Sequence, residues 1–163
     1  IYQHDANNSP LDHAGLHAWQ VNTGVQDAAG NYIYANGAGT LDDVIAWDAQ
    51  RIHLRTGSHR NPANPLRSDN RLRAVHLCEY GAQAMAVHGG LCGAAAGSAP
   101  KAGVLVALRE VALHVARIDD LTDALECEAE LLADSSTSQQ YAFRILHADE
   151  VLAEGRAAVM LQA

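Results

Sequence analysis

The chain has 163 residues and a net charge of −8; 48% of its residues are apolar but only 5% aromatic. That length suits one domain with a core of Ala, Val and Leu, and the acidic balance argues against nucleic acid as a partner. With no apolar run of about eighteen residues no membrane helix is expected, and with Arg51 as the first basic residue no signal peptide is expected. The cysteines Cys78, Cys92 and Cys127 lack framework spacing and point to a reduced, cytoplasmic protein.

In residues 1–40, turn clusters fall at Asn7–Pro10, Asp27–Asn31 and Asn36–Gly39. Between them His17–Asn22 and Tyr32–Tyr34 are read as a short hairpin in an otherwise irregular segment. From Leu41 the pattern sharpens. Val44–Trp47 and Ile52–Thr56 are strand-like and joined tightly by Asp48–Gln50. Arg51, His53 and Arg55 alternate with Ile52 and Leu54, which gives a half-buried strand with a basic outer face. His59–Asn70 is a loop, after which Ser68 or Asp69 is expected to cap a helix.

That helix, Arg71–Cys92, is the centre of the chain. Leu72, Val75, Leu77, Met85, Val87 and Leu91 recur at helical spacing, with Ala and Gly between them, so neighbouring backbone can approach closely. Glu79 and Gln83 share one face, with His76 upstream on the same stripe. Such a Glu is either a solvated flank or a working acid. Gly89-Gly90 is expected to end the helix and Gly93–Gly103 to form a loop. The strands that follow centre on Val104–Val115, Leu125–Leu131, Tyr141–Ile145 and Val151–Leu161. A phase change at Arg109-Glu110 marks a bulge or bend in one long strand. Glu126, Glu128 and Glu130 alternate with apolar residues and are read as a solvated acid ladder. One helix against long antiparallel strands is an α+β single domain.

Glu79-Tyr80-Gly81-Ala82-Gln83-Ala84 resembles the E-x-x-A-Q segment on the central helix of the small β-hydroxyacyl-acyl-carrier-protein dehydratases. The run from Asn64-Pro-Leu-Arg through Glu79 to His88-Gly-Gly-Leu91 is similar to the branch associated with aryl-polyene and related lipid clusters. The resemblance spans about Leu41 to the C-terminus. It implies a hotdog fold, a curved antiparallel sheet wrapped around one long helix, and dimers whose sites form between subunits. It also implies dehydration of a 3-hydroxyacyl thioester on acyl carrier protein, without metal or redox cofactor. In the family a His near one subunit's N-terminus takes the proton beside the thioester carbonyl. The helix Glu of the other subunit protonates the leaving hydroxyl, and a backbone N–H near the helix start holds the thioester oxygen.

Carried over residue by residue, Glu79 is the acid, Gln83 positions it or a water, and an amide near Gly81 polarises the carbonyl. The base has two candidates. Leu11-Asp12-His13-Ala14-Gly15 matches the family's P-H-x-G except for Asp12 in place of Pro, but a long stretch separates it from the strand start at Thr40-Leu41-Asp42. Read without an insertion, the position falls on Tyr34. Two further readings stay open beside the dehydratase: a hotdog thioesterase, and an inactive dehydratase-like subunit that binds or stabilises an active one.

Six of the eleven basic residues, Arg51, Arg55, Arg60, Arg67, Arg71 and Arg73, form a run in which the only acid is Asp69. With Arg67 and Arg71 as its core, the run is a candidate docking patch for an acidic carrier protein, or a set of solvated strand edges and loop. His13 and His17, four apart, would make a metal pair on a helix, but Gly15 and the want of a third ligand argue against it. Cys78 reads as a small apolar residue rather than a nucleophile. His76 and His88 flank the helix face and are candidates to tune Glu79.

Overall fold

The computed structural model describes residues 3–4, 10–11, 19–26, 32–37, 43–98, 101 and 103–162, with side chains from residue 43 onward. A two-residue pair, β1 (Gln3–His4) and β2 (Pro10–Leu11), stands apart from the main sheet. The sheet has eight strands: β3 (Trp19–Gln26), β4 (Tyr32–Gly37), β5 (Asp43–Trp47), β6 (Arg51–Thr56), β7 (Gly103–Leu113), β8 (Leu125–Asp134), β9 (Ser138–His147) and β10 (Glu150–Leu161). Their order is β4-β3-β5-β6-β8-β9-β10-β7, antiparallel except for a parallel contact between Asn22 of β3 and Asp43 of β5. The expected N-terminal hairpin is present as β3 and β4, and it extends the sheet beyond β5.

One helix, α1 (Leu77–Ala95), lies on the inner face after a 3-10 turn at Ala74–His76. Leu77, Tyr80, Ala84, Val87 and Leu91 are buried at spacings of three and four, and they meet Ile52, Leu54, Cys127, Phe143 and Ile145 from the strands. This is the hotdog architecture. No helix among the described residues is long and apolar enough to cross a membrane.

Two boundary expectations are corrected. The helix does not stop at Gly89-Gly90 but runs to Ala95, and the left-handed residue that ends it is Gly97, φ +69°. Glycine costs a helix about 1 kcal/mol relative to alanine, and burial of Val87, His88 and Leu91 against the sheet outweighs it. Ser68 and Asp69 do not cap the helix. They form a tight reversal in which Ser68 and Arg71 exchange backbone hydrogen bonds, 2.9 Å each, with Asp69 and Asn70 at positive φ.

The bulge in β7 lies where the phase changes. Ala112 pairs with Glu154 and Arg109 with Arg156, so Glu110 (φ 53°) and Val111 together oppose Gly155. The acid ladder is not merely solvated. Register sets Arg51, His53 and Arg55 of β6 opposite Glu130, Glu128 and Glu126 of β8. Arg51 bonds Glu130 at 3.1 Å, His53 bonds Glu126 at 2.9 Å, and Arg144 of β9 pairs with Glu128. A depression on this face, lined in part by Arg51, His53, Glu128, Glu130 and Arg144, does not include Glu79.

Candidate active site on the central helix

Glu79 stands in the first turn of α1 and is exposed. One turn later Gln83 is buried, 5% exposed, and donates Nε2–H to Glu79 Oε1 at 3.2 Å. The helix face that carries Glu79 continues through Ala82, Ala86 and Gly90, each partly or fully open to solvent. Among the described residues of a single subunit, Glu79 therefore lacks apolar cover. His76 precedes the helix as its N-cap residue and makes no side-chain cap bond.

Tyr80 faces the other way and is fully buried. Its hydroxyl meets Ser58 Oγ at 3.0 Å and accepts from Asn64 Nδ2 at 3.3 Å. Asn64 Nδ2 also donates to the Ser58 carbonyl, and Ser58 Oγ accepts from Thr56 Oγ1 at 2.8 Å. The end of β6 and the following loop are thus tied to the residue next to Glu79. Gly81 has a packing reason. A Cβ there would stand 2.6 Å from Phe143 Cδ2, so only glycine lets the helix come this near to β9. Its amide lies past the first helical turn, where N–H groups serve the helix's own ladder.

The lead into the helix is held from the β7–β8 connection. Ala74 N–H donates to Ala116 O at 3.0 Å, Ile118 N–H to Leu72 O at 2.9 Å, and Leu72 N–H to Asp119 Oδ1 at 2.9 Å. The bonded Arg117 guanidinium holds the Asp119 carboxyl well below the usual carboxylate range, assisted by the Leu72 amide. In the second half of α1, His88 is fully buried. Its Nε2–H donates to the Asp48 carbonyl and its Nδ1 accepts the Tyr141 hydroxyl, both at 2.9 Å. Burial keeps this imidazole below the ordinary histidine range and pushes the Tyr141 phenol up. His88 clamps the β5–β6 turn and does not reach toward Glu79. Burial raises the thiols of Cys78 and Cys92, which does not favour a nucleophile at either position.

The arginine run is not one patch. Arg51 is spent on Glu130, Arg60 donates to Thr122 O, and half-buried Arg67 donates Nη2–H to the His59 carbonyl at 3.1 Å. Arg73 bonds Ser68 Oγ at 2.7 Å and pairs with Asp69 at 3.7 Å. Arg71 is exposed beside the helix lead. His13 lies outside the described residues. Tyr34 is on β4, whose backbone packs against α1 and pairs with Asn22 of β3. Among the described residues no group of three or more His, Cys, Asp or Glu could hold a metal ion.

Sequence reasoning missed the Tyr80–Ser58–Asn64 network, although Asn64 opens the motif that carried the resemblance. It also missed Asp119, which lies far from Leu72 in sequence and carries no local signal.

Residues 38–163 match the model of a family described as ApeP-like, ApeP dehydratase. The chain belongs to the ApeP-like dehydratase family. No curated protein matches it. Among solved structures it is similar to the dehydratase heterocomplex ApeI:P from Xenorhabdus doucetiae, at 22% identity and TM-score 0.69, covering 76% of this chain and 83% of that one. It is also similar to the thioesterase HI1161 from Haemophilus influenzae, at 11% identity and TM-score 0.54, covering 73% and 76%. A hypothetical thioesterase from Streptococcus pneumoniae with coenzyme A gives 11% identity and TM-score 0.54, covering 74% and 84%. At such identities the structures report the shared fold, and the dehydratase assignment rests on the family.

Proposed function

We propose that this ApeP-like dehydratase removes water from a 3-hydroxyacyl thioester carried by acyl carrier protein and leaves the 2-enoyl thioester. The observation that carries the reading is Glu79, set in the first turn of the central helix on its open face and held by Gln83 at 3.2 Å. A base takes the proton from the carbon beside the carbonyl, the C–O bond to the 3-hydroxyl breaks, and Glu79 gives that oxygen its proton so that it leaves as water. His13 is the candidate base, and an amide near Gly81, on the side of the helix start, is the candidate to polarise the carbonyl. Arg71, exposed at the helix lead, is the basic residue of the run placed to meet a carrier protein beside the site, whereas Arg67 works inside its loop. The odd count and spacing of Cys78, Cys92 and Cys127 support a reducing compartment such as the cytoplasm.

A second hotdog subunit completes the site. Among the described residues, strand β7 ends the sheet and pairs only with β10. Val104, Leu105, Val106, Leu108, Val111 and Leu113 along it are 40–55% exposed, an edge that soluble proteins normally cover. The partner covers this strand, and with it the open face around Glu79.

The likeness to a heterocomplex favours one other reading, in which Tyr34 stands in the base position and this chain supports an active, related subunit. One assay separates the two. Turnover of a 3-hydroxyacyl thioester is measured for the wild type, His13→Ala, Tyr34→Phe and Glu79→Gln, each alone and with a related hotdog subunit. Activity of the wild type alone that is lost in His13→Ala supports the enzyme with His13 as base. Activity alone that survives His13→Ala removes His13, and activity that appears only with the partner and ignores Glu79→Gln makes the chain the supporting subunit.

A further inference from the structure

Among the described residues, three buried side-chain nitrogens lack a hydrogen-bond partner: His59 Nδ1, Arg67 Nε and His147 Nε2. They come from three segments, the 3-10 turn Ser58–Arg60, the loop before the helix, and the end of β9. They belong to one cluster. Arg67 Nη2 donates to the His59 carbonyl, and Arg60, His147 and Arg67 all act on the His59 imidazole through their charge. Asp123 approaches from the β7–β8 connection, with Oδ2 4.0 Å from His147 Nε2, but its side chain is 77% exposed.

His59 itself is fully buried, and its Nε2 lies 3.0 Å from the Leu121 carbonyl. A carbonyl only accepts, so Nε2 carries the proton and Nδ1 is a bare lone pair in the neutral ring. A proton on Nδ1 would bury a second N–H without an acceptor and add a positive charge among Arg60, Arg67 and His147. Burial foremost, and then the neighbouring Arg60, His147 and Arg67, hold the imidazole below its ordinary range.

The turn that carries His59 is a junction. His59 and Arg60 bond the carbonyls of Leu121 and Thr122 in the β7–β8 connection. Ser58 and Asn64 bond the Tyr80 hydroxyl, one residue from Glu79. We propose that His59, Arg60, Arg67 and His147 form an acid-sensitive latch, which holds residues 57–67 between the β7–β8 connection and the first turn of α1 and releases them when His59 takes a proton. In the released loop the imidazole meets water and titrates near the ordinary histidine value of about 6.5. At about pH 5.5 the open form therefore gains over the closed one, by at most on the order of ten-fold.

The test is amide hydrogen exchange of residues 57–67 in the full chain at about pH 7.5 and about pH 5.5, corrected for intrinsic exchange rates. The expected result is more opening at the lower pH, up to roughly ten-fold. His59→Gln keeps a donor for the Leu121 carbonyl but cannot take a proton, and should level the two conditions. Equal protection in the wild type at both pH values, or an undiminished pH dependence in the variant, overturns the latch. Should the variant not fold, a ring-resolved NMR titration of wild-type His59 decides instead. A midpoint well below about 6.5 supports the latch, and one at or above it overturns the latch.

Discussion

Gln83 Nε2 lies 3.2 Å from Glu79 Oε1, one helical turn away, so that a buried amide aims an exposed carboxylate. The pair divides two jobs: Gln83 is fixed by the core, and Glu79 is presented on the open face of the helix. Glu79→Gln keeps the shape and loses the proton, so dehydration should fall by roughly 100-fold or more. Gln83→Leu keeps the acid and loses its aim, for a smaller loss of roughly ten-fold. Because Glu79 is exposed in the protomer, its substitution should move stability by less than about 0.5 kcal/mol. Turnover and urea unfolding of the same samples check both statements, and undiminished turnover in Glu79→Gln removes it as the acid.

Gly81→Ala should destabilise the fold by about 1–3 kcal/mol, because the new methyl meets the Phe143 ring at 2.6 Å. Phe143→Leu in the same chain should recover part of that loss. A double-mutant cycle by chemical denaturation reads the coupling. Independent effects at the two positions would mean that the helix shifts away from β9 instead.

The arginines separate by surroundings. Arg71→Glu should weaken turnover of carrier-protein substrates and reduce its salt dependence, while a pantetheine surrogate is used as before. Arg67→Glu should lower the melting temperature, because it removes the bond to the His59 carbonyl and puts a carboxylate beside half-buried structure. Equal loss on both substrates for Arg71→Glu would count against the docking role.

Buried His88 gives the whole fold a pH dependence. Its imidazole is held low in the folded state, foremost by burial, and titrates near about 6.5 when unfolded. As pH falls through that value the unfolded chain takes up the proton first. Stability is thus complete above about pH 6.5 and is lost progressively below it. The melting temperature should be lower at about pH 5.5 than at about pH 7.5. His88→Gln offers a donor to Asp48 O and an acceptor to Tyr141, so it should lose part of that slope, with His59 accounting for the remainder. An unchanged slope in His88→Gln would place the titration elsewhere.

Period-two alternation at Leu125–Leu131 and Tyr141–Ile145 located β8 and β9, because a half-buried strand writes its faces directly into the sequence. The bulge at Glu110 was legible for the same reason, as a change of phase. The end of α1 was not. Local propensity at Gly89 and Gly90 pointed to a stop, and burial of the opposite helix face overrode it. The site divides in a similar way. Glu79 and Gln83 are neighbours by helical spacing and could be paired from sequence. Asp119 with Leu72, and His59 with Leu121, are joined only by tertiary folding, where an isolated Asp or His carries no pattern. The basic run misled because adjacent arginines point to different places: into the sheet register for Arg51, into the loop for Arg67, and out to water for Arg71.

The edge-on fit of Phe143 between two glycines has a consequence for how sequences like this one can drift. A Cβ at Gly81 would stand 2.6 Å from the ring, and one at Gly155 would stand 3.0 Å from it. The three positions are remote in the chain yet share a single volume. Gly81 cannot acquire a side chain while the ring is present, whereas a Cβ at Gly155 is crowded by the ring and, at 3.1 Å, by Val111 Cγ2 as well. Substitution at Gly81 is a matter of order, since the aromatic position has to change first, and shrinking the ring does not by itself free Gly155. Along lineages that keep the ring, Gly81 should stay fixed whether or not the helix carboxylate is still in use.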